Sequence, residues 1–536
     1  MPTGSKQRIV QSIAIWSRPL SIIKKENKQM MKTNIKYLAI AATALFASCT
    51  KQLDISPEGA PSSQNFWKTE QDAIKAEASM YEKYNEEDYY GRGMFWFINA
   101  SDDMVTGRNK PEADNIKNFN RSYIGGGYTE TQWSMRYAII KRANDIIINV
   151  PRISMDENRK KQIIGDAYFN AGLVYFQLAA NYGNDKAGVP IVTPETDATV
   201  PVPRANNVNE NYDYIISLFL KAAENLPYFS DMNSSDYGKG HKTAAWSYLS
   251  KVYLYKKDYT NAAKYADMVI NSGKHNLLPT FVDVFKAANN WSQEYIWSVV
   301  CTPDGGGTGW GSKLPGVMLT NKAWGIYNGW GYYLPTKELY DSFETGDSRR
   351  EATILKPGDK FQFFGAERTF TKDGGATSNY QFKKYMEPFS YKDPIPTHVN
   401  PNGDNGTTDL NVPLMRYAEV LLIKAEAIIN LNGSGAGDTE LNKIRKRAGL
   451  LPKSGMTLVD LKRERRNELA GEWADRHRDL VRWGDAQATY AKSLHDFDGT
   501  VIWPARTFNP QVHDVWAIPQ REIDNSSGVI KQNAGW

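Results

Sequence analysis

From Thr69 to Tyr84 the chain runs without proline or glycine, and Ala73, Ala76, Met80 and Tyr84 recur at helical spacing. Such a stripe predicts a helix with one face turned to a core. Gln132–Val150 repeats the pattern, with Trp133, Tyr137, Ile140, Ala143 and Ile147 in line and Pro151 as the stop. Asp156–Tyr182 predicts a longer helix ended by Gly183. Asn209–Leu226, Lys242–Tyr255, Asn261–Asn271, Arg416–Leu431, Thr439–Ala448 and Leu458–Trp483 carry the same period, the last being long enough for two helices.

Within this array, His241–Asn271 predicts a helical hairpin of tetratricopeptide type. Leu249, Ser250 and Tyr253 lie on its first helix, and Tyr259 and Ala262 on its second. The small residue lets the helices approach, and the tyrosine fills the gap. Ala266 is smaller than the aromatic usual at its position. Phe169, Gly172, Tyr175 and Tyr182 suggest another such helix.

Between Trp291 and Asn411 the helical period nearly vanishes, and Gly, Pro, Asn and aromatic residues cluster. Tyr295–Val300 reads as a short buried strand and Gln381–Tyr385 as another. So long an irregular stretch usually carries function. The expected fold is mainly α: a tetratricopeptide-like helical-repeat bundle with a long, loop-rich insertion containing a few short strands. The helical halves fall at 49–290 and 412–536, with the insertion at 291–411.

The amino-terminal residues follow different rules. Met31 opens a basic stretch, and an apolar run of about 12 residues follows from Tyr37 to Ser48, short of the roughly 20 that a bilayer span needs. Its length and flanks are those of a signal peptide. Ala47 and Ser48 stand directly before Cys49, whose thiol would take a diacylglyceryl group before cleavage freed its amine for a further chain. Residues 31–48 are therefore expected to be a lipoprotein signal peptide and Cys49 the lipid-attachment site. Residues 1–30 read as a mis-assigned start or a disposable extension.

This assignment changes the meaning of the charge. The 536-residue chain has a formal net charge of +5, but residues 1–48 hold eight of its basic residues and one acid. Beyond them stand 57 basic against 59 acidic residues, which leaves no basic field for a nucleic-acid partner. Cysteine occurs only at 49 and 301, so no disulfide framework is expected.

Catalytic patterns are scarce. No HExxH, GxSxG or P-loop motif occurs. Gly305–Gly311 misses dinucleotide-loop spacing in every register and reads as a loop presenting Trp310. Glu419 and Glu426 share a helix face, but seven residues set their backbones about 10.5 Å apart, beyond the ~5–9.5 Å of glycosidase pairs. Arg416, three residues earlier, is expected to pair with Glu419. The mixed signs of Lys462–Glu468 predict an ion-paired helix surface.

Aromatic loops carry the stronger signal. Tyr89, Tyr90, Phe95, Trp96 and Phe97 precede Ser101-Asp102-Asp103, and Trp310, Trp324, Tyr327, Trp330, Tyr332 and Tyr333 lie among Gly and Asn. A sugar ring has an apolar C–H face that stacks on an aromatic plane, while polar side chains bond its hydroxyls. The candidate ligand residues are Trp96, Asn99, Asp102, Asp103, Trp310, Trp324, Tyr327 and Trp330. Asp102 and Asp103 are open to two readings, a solvated turn or a pair that meets ligand hydroxyls or calcium. No other cofactor is called for.

Several segments together resemble the SusD/RagB family of outer-membrane nutrient-binding lipoproteins. They are Cys49–Gly59 (CTKQLDISPEG), Ala167–Thr193, Leu334–Ile354 with its PTKEL and DSRR, Arg416–Ile428 (RYAEVLLIKAEAI), Glu464–Gly484 (ERRNELAGEWADRHRDLVRWG) and the ending AIPQREIDNSSGVIKQNAGW. The resemblance implies a single domain over 49–536 with tetratricopeptide-like helix pairs. It also implies non-catalytic capture of an oligo- or polysaccharide at the cell surface and its delivery to a SusC-type TonB-dependent transporter. Among the matched residues only Cys49 brings a functional assignment with it; the arginine–carboxylate blocks and Trp483 look like helix locks. The rival functions are peptide capture of the RagB kind, a surface glycoside hydrolase, and a helical scaffold that binds only protein.

Overall fold

The computed structural model describes residues 66–86, 89–90, 93, 95–197, 199–301, 331–363, 366–372, 375–386 and 410–536. The long helices fall where the apolar stripes place them. They are α1 (Glu70–Glu82), α2 (Gly127–Asn149), α3 (Glu157–Tyr182), α4 (Val208–Asn225), α5 (Lys242–Tyr255), α6 (Tyr259–Asn271), α7 (Tyr417–Asn432), α8 (Asp438–Arg447), α9 (Leu458–Leu469) and α10 (Arg476–Trp483). Their starts are chemically marked. Thr69 caps α1 in a reciprocal box, its hydroxyl accepting from the Asp72 N–H while Asp72 accepts from the Thr69 N–H. The side chains of Asp156, Asn207, Thr457 and Asp475 likewise cap α3, α4, α9 and α10.

From α1 to α6 the helices pack in succession, each against the next. The chain then departs for some 145 residues, and α7 returns to pack on α6. The helical array is thus continuous in space across a large excursion in sequence. Residues Phe66–Trp536 form one compact unit, and no described helix is long and apolar enough to cross a membrane.

The α5–α6 hairpin has the predicted packing. Ser250 Oγ donates to the Ala262 carbonyl at 2.8 Å, so the helices touch at small residues. Tyr253 and Tyr265 stack with ring centroids 5.5 Å apart. The α3–α4 contact depends on Gly172, where an added Cβ would lie 3.0 Å from the Phe219 ring. Gly172→Val is therefore expected to cost about 1–3 kcal/mol of stability by overpacking. Chemical denaturation checks this, and an unchanged midpoint would show that the helices separate freely.

The insertion holds more order than its composition suggests. β2 (Tyr295–Val299) was expected, but its partner β8 (Val412–Arg416) was not; they run antiparallel with Val299 opposite Val412. β1 (Met104–Thr106) pairs with β3 (Tyr333–Pro335), β4 (Ile354–Leu355) with β7 (Gln381–Phe382), and β5 (Lys360–Phe363) with β6 (Ala366–Thr369). The strand expected over Gln381–Tyr385 is only the two residues of β7. Short helices at Lys337–Tyr340 and Ser348–Thr353 complete the segment. Elements of two to six residues are too short to establish a readable period.

Two local charge expectations are corrected. Arg416 does not pair with Glu419, because it is the extended last residue of β8 rather than part of the helix, with φ −120° and ψ 158°. Its guanidinium instead meets Glu294 at 2.7 Å, Glu468 at 3.0 Å and Glu472 at 2.7 Å. The Lys462–Glu468 run is not simply a helix surface either. Glu464, Arg465 and Glu468 are buried. Arg349 pairs with Asp347 and Glu464, Arg445 with Glu344 and Glu464, Arg447 with Glu294 and Glu468, and Lys384 with Glu472. Across chain separations of up to more than a hundred residues, this network ties α8, α9 and β8 to the insertion.

Candidate functional site

The segment carrying most of the candidate aromatics leaves the described structure after Cys301 and returns at Gly331. Its leading stem is fixed by β2 and by the Cys301 N–H, which donates to Asn411 Oδ1 at 3.0 Å. Asn411 in turn donates its N–H to Asn290 Oδ1 at 2.8 Å. The returning stem is fixed by β3, and the Gly107 N–H donates to the Tyr332 carbonyl at 2.8 Å. A Cβ at Gly107 would fall 2.0 Å from the Gly331 carbonyl oxygen, so only glycine allows this approach. Lys110 lies 4.7 Å and Arg108 5.6 Å from the Tyr332 ring. Trp310, Trp324, Tyr327 and Trp330 belong to residues 302–330, outside the described residues, as does Cys49.

The other four candidates lie inside the fold. Trp96 is 4% exposed and belongs to the main core. Asn99 is fully buried; its carbonyl accepts from Lys117 Nζ at 2.7 Å, and its side-chain amide has no partner among the described residues. Asp102 and Asp103 are not a solvated turn. Arg466 lies 2.9 Å from Asp102 and 2.6 Å from Asp103, and Arg476 lies 3.0 Å from Asp102. Burial would raise the Asp102 carboxyl, but Arg466 and Arg476 outweigh it and hold Asp102 below the ordinary carboxylate range. Burial prevails at Asp103, with the Asp102 charge adding to it, and moves that group upward. Sugar hydroxyls or calcium would have to displace two guanidinium groups to reach this pair, so its role here is to anchor the chain to α9 and α10. Among the described residues no cluster of His, Cys, Asp and Glu is arranged to hold a metal.

The carboxylates weighed as a hydrolase pair are similarly engaged. Glu419 meets Lys251 and Arg465, each at 2.9 Å. Glu426 accepts from Arg482, at 2.8 Å through Nη2, and from Trp483 Nε1 at 2.7 Å. Both are 2% exposed. These pairs lock α7 to α5, α9 and α10, as expected of Trp483.

One feature escaped the sequence reading. Beside Val299 and Val300, at the leading stem, opens a cleft of about 300 Å3 walled by Tyr81, Tyr84, Tyr237 and Trp297. These residues come from α1 and the turn after it, the segment before α5, and β2. The aromatic enrichment was legible, but not the convergence of three distant segments on one hollow.

Comparison with known proteins places this geometry among related molecules. Residues 293–536 match a family described as the SusD family, and residues 53–254 match one described as starch-binding associating with outer membrane. A SusD-like protein from Bacteroides ovatus is 27% identical over 84% of this chain and 82% of its own length. The crystal structure of a SusD-like protein from Bacteroides fragilis superposes with a TM-score of 0.74 at 22% identity, covering 89% of this chain and 99% of that one. A laminarin-binding SusD-like protein superposes with a TM-score of 0.70 at 26% identity, covering 88% of this chain and all of that one.

Proposed function

The chain belongs to the SusD/RagB family, and from that premise we propose that it is a surface-exposed lipoprotein that captures an oligo- or polysaccharide without cleaving it. Lipid on Cys49 holds it at the outer membrane, and the captured glycan passes to a SusC-type TonB-dependent transporter. The observation that carries this reading is the match of residues 293–536 to the SusD family and of residues 53–254 to a family described as starch-binding, joined to a structural neighbour named for laminarin binding. Two features support the non-catalytic part. Glu419 and Glu426 are committed to ion pairs, and relatives are named as binding proteins.

The contact surface is assigned to the aromatics of residues 302–330. Both stems of that segment are firmly tied, which gives it a rigid base. Trp310, Trp324, Tyr327 and Trp330 are expected to stack on sugar faces. Each alanine substitution should weaken binding to a ligand found on a glycan array by about tenfold, as calorimetry would measure. If none of the four changes affinity for a confirmed ligand, the site assignment is wrong.

A further inference from the structure

The cleft at the end of β2 has a volume of about 300 Å3, at the lower end of the ~300–1,000 Å3 range of small-molecule sites. Its walls are aromatic. Tyr81 and Tyr84 project one helical turn apart, and Tyr84 meets the Trp297 ring edge-on at 5.6 Å. Tyr237 also lines the cleft and lies 5.3 Å from Trp291, which is 37% exposed. Gly238 brings this wall close: its φ is +96°, and a Cβ there would lie 2.3 Å from Val300 Cγ2.

One buried polar group of the lining lacks a partner among the described residues. Trp297 lines the cleft, is 3% exposed, and its indole N–H has no acceptor. Asp166 lies outside the cleft lining, bonded to the Tyr81 hydroxyl. Its Oδ1 accepts from the Tyr81 hydroxyl at 2.6 Å and the Gly240 N–H at 2.8 Å, whereas Oδ2 has no donor. Burial, with the Glu77 charge adding to it, raises this carboxyl to about 7. A buried donor without its hydrogen bond can be satisfied by a bound molecule.

The charges beside the cleft are already matched. Lys239 lies 2.7 Å from Glu77 and 2.6 Å from Asp236, and Arg159 lies 2.9 Å and 3.3 Å from the same two acids. An entering anion would meet no unshared cation there and would lose its hydration next to carboxylates. A neutral ligand with an apolar face and hydroxyl acceptors meets neither obstacle.

We infer that this cleft is a saccharide subsite, additional to the four aromatics assigned above, that takes one or two units of a neutral sugar. The C–H face of the ring stacks on Tyr237, and a ring or hydroxyl oxygen accepts the Trp297 N–H. The inference rests on the glycan-capture reading and narrows it to uncharged glycans.

The test titrates the full chain with laminarihexaose, maltohexaose and xylohexaose, and with hexagalacturonate as the anionic probe. At least one neutral hexasaccharide should bind and hexagalacturonate should not. Tyr237→Ala and Trp297→Phe should each raise Kd about fivefold or more. The phenylalanine keeps a ring but removes the N–H. If that buried change also lowers the melting temperature, the half-exposed Tyr237→Ala decides. Unchanged affinity in Tyr237→Ala while Trp330→Ala weakens binding would overturn the cleft and leave glycan capture standing. Hexagalacturonate binding that Tyr237→Ala weakens would overturn the neutral specificity alone. Failure of every neutral probe to bind would also overturn the inference.

Discussion

Replacing Arg416 by alanine is expected to lower the stability of the fold by about 3–5 kcal/mol, the cost of breaking a buried ion pair by removing one partner. Arg416 is 1% exposed, and its guanidinium is shared among Glu294, Glu468 and Glu472, which are 0–3% exposed. Burial alone would raise the pKa of Glu468, but Arg447, Arg416 and Arg349 together hold it well below its usual value. Without Arg416 the carboxylates stay desolvated and lose their shared counter-ion. Arg416→Lys should recover little, because one ammonium cannot reproduce a planar fork bonding three acids. Chemical denaturation measures both variants, and a loss below about 1 kcal/mol would show that the remaining arginines redistribute to cover the gap. The same network sets an acid limit. A carboxyl whose folded pKa is depressed contributes stability that is present above its unfolded pKa, near 4.5, and lost as the pH falls below it. Arg416→Ala should therefore flatten the acid limb of the stability profile as well as lower its plateau.

The second large effect is expected at Cys49. Cys49→Ala should move nearly all of the protein from the outer-membrane fraction to the soluble fraction. Stable anchoring needs more than one acyl chain, since a single chain gives only marginal, reversible binding, and every chain proposed here is attached at this cysteine. No described helix offers an alternative anchor. Fractionation of cells expressing each form is the check, and an unchanged membrane fraction would overturn the lipid attachment.

The long helices were legible because a buried face imposes its period on the sequence over many turns. Lys242–Tyr255 was bounded to the residue, and the hairpin it opens was recognised from Ser250 and Ala262. What stayed hidden was mostly non-local. β8 is a run of five buried residues with no alternation, and it merges directly into the apolar stripe of α7. Asp102 and Asp103 look like turn residues because their partners, Arg466 and Arg476, lie more than 360 positions away. Arg416 defeated the local pairing rule by being extended where that rule requires a helix. At the candidate site, aromatic enrichment could be counted in the sequence, but burial divides it: Trp96 packs into the core, while Tyr81 and Tyr237 wall a cleft. The aromatics of residues 302–330 stand on sequence pattern and on the placement of their stems.

The central claim, capture of a glycan without cleavage, is tested most directly by one calorimetric titration coupled to a reducing-end assay. The purified chain is incubated with the polysaccharide that binds it best on an array. The account predicts saturable binding and no new reducing ends over prolonged incubation. Release of reducing ends, or the absence of binding to any polysaccharide, would contradict it.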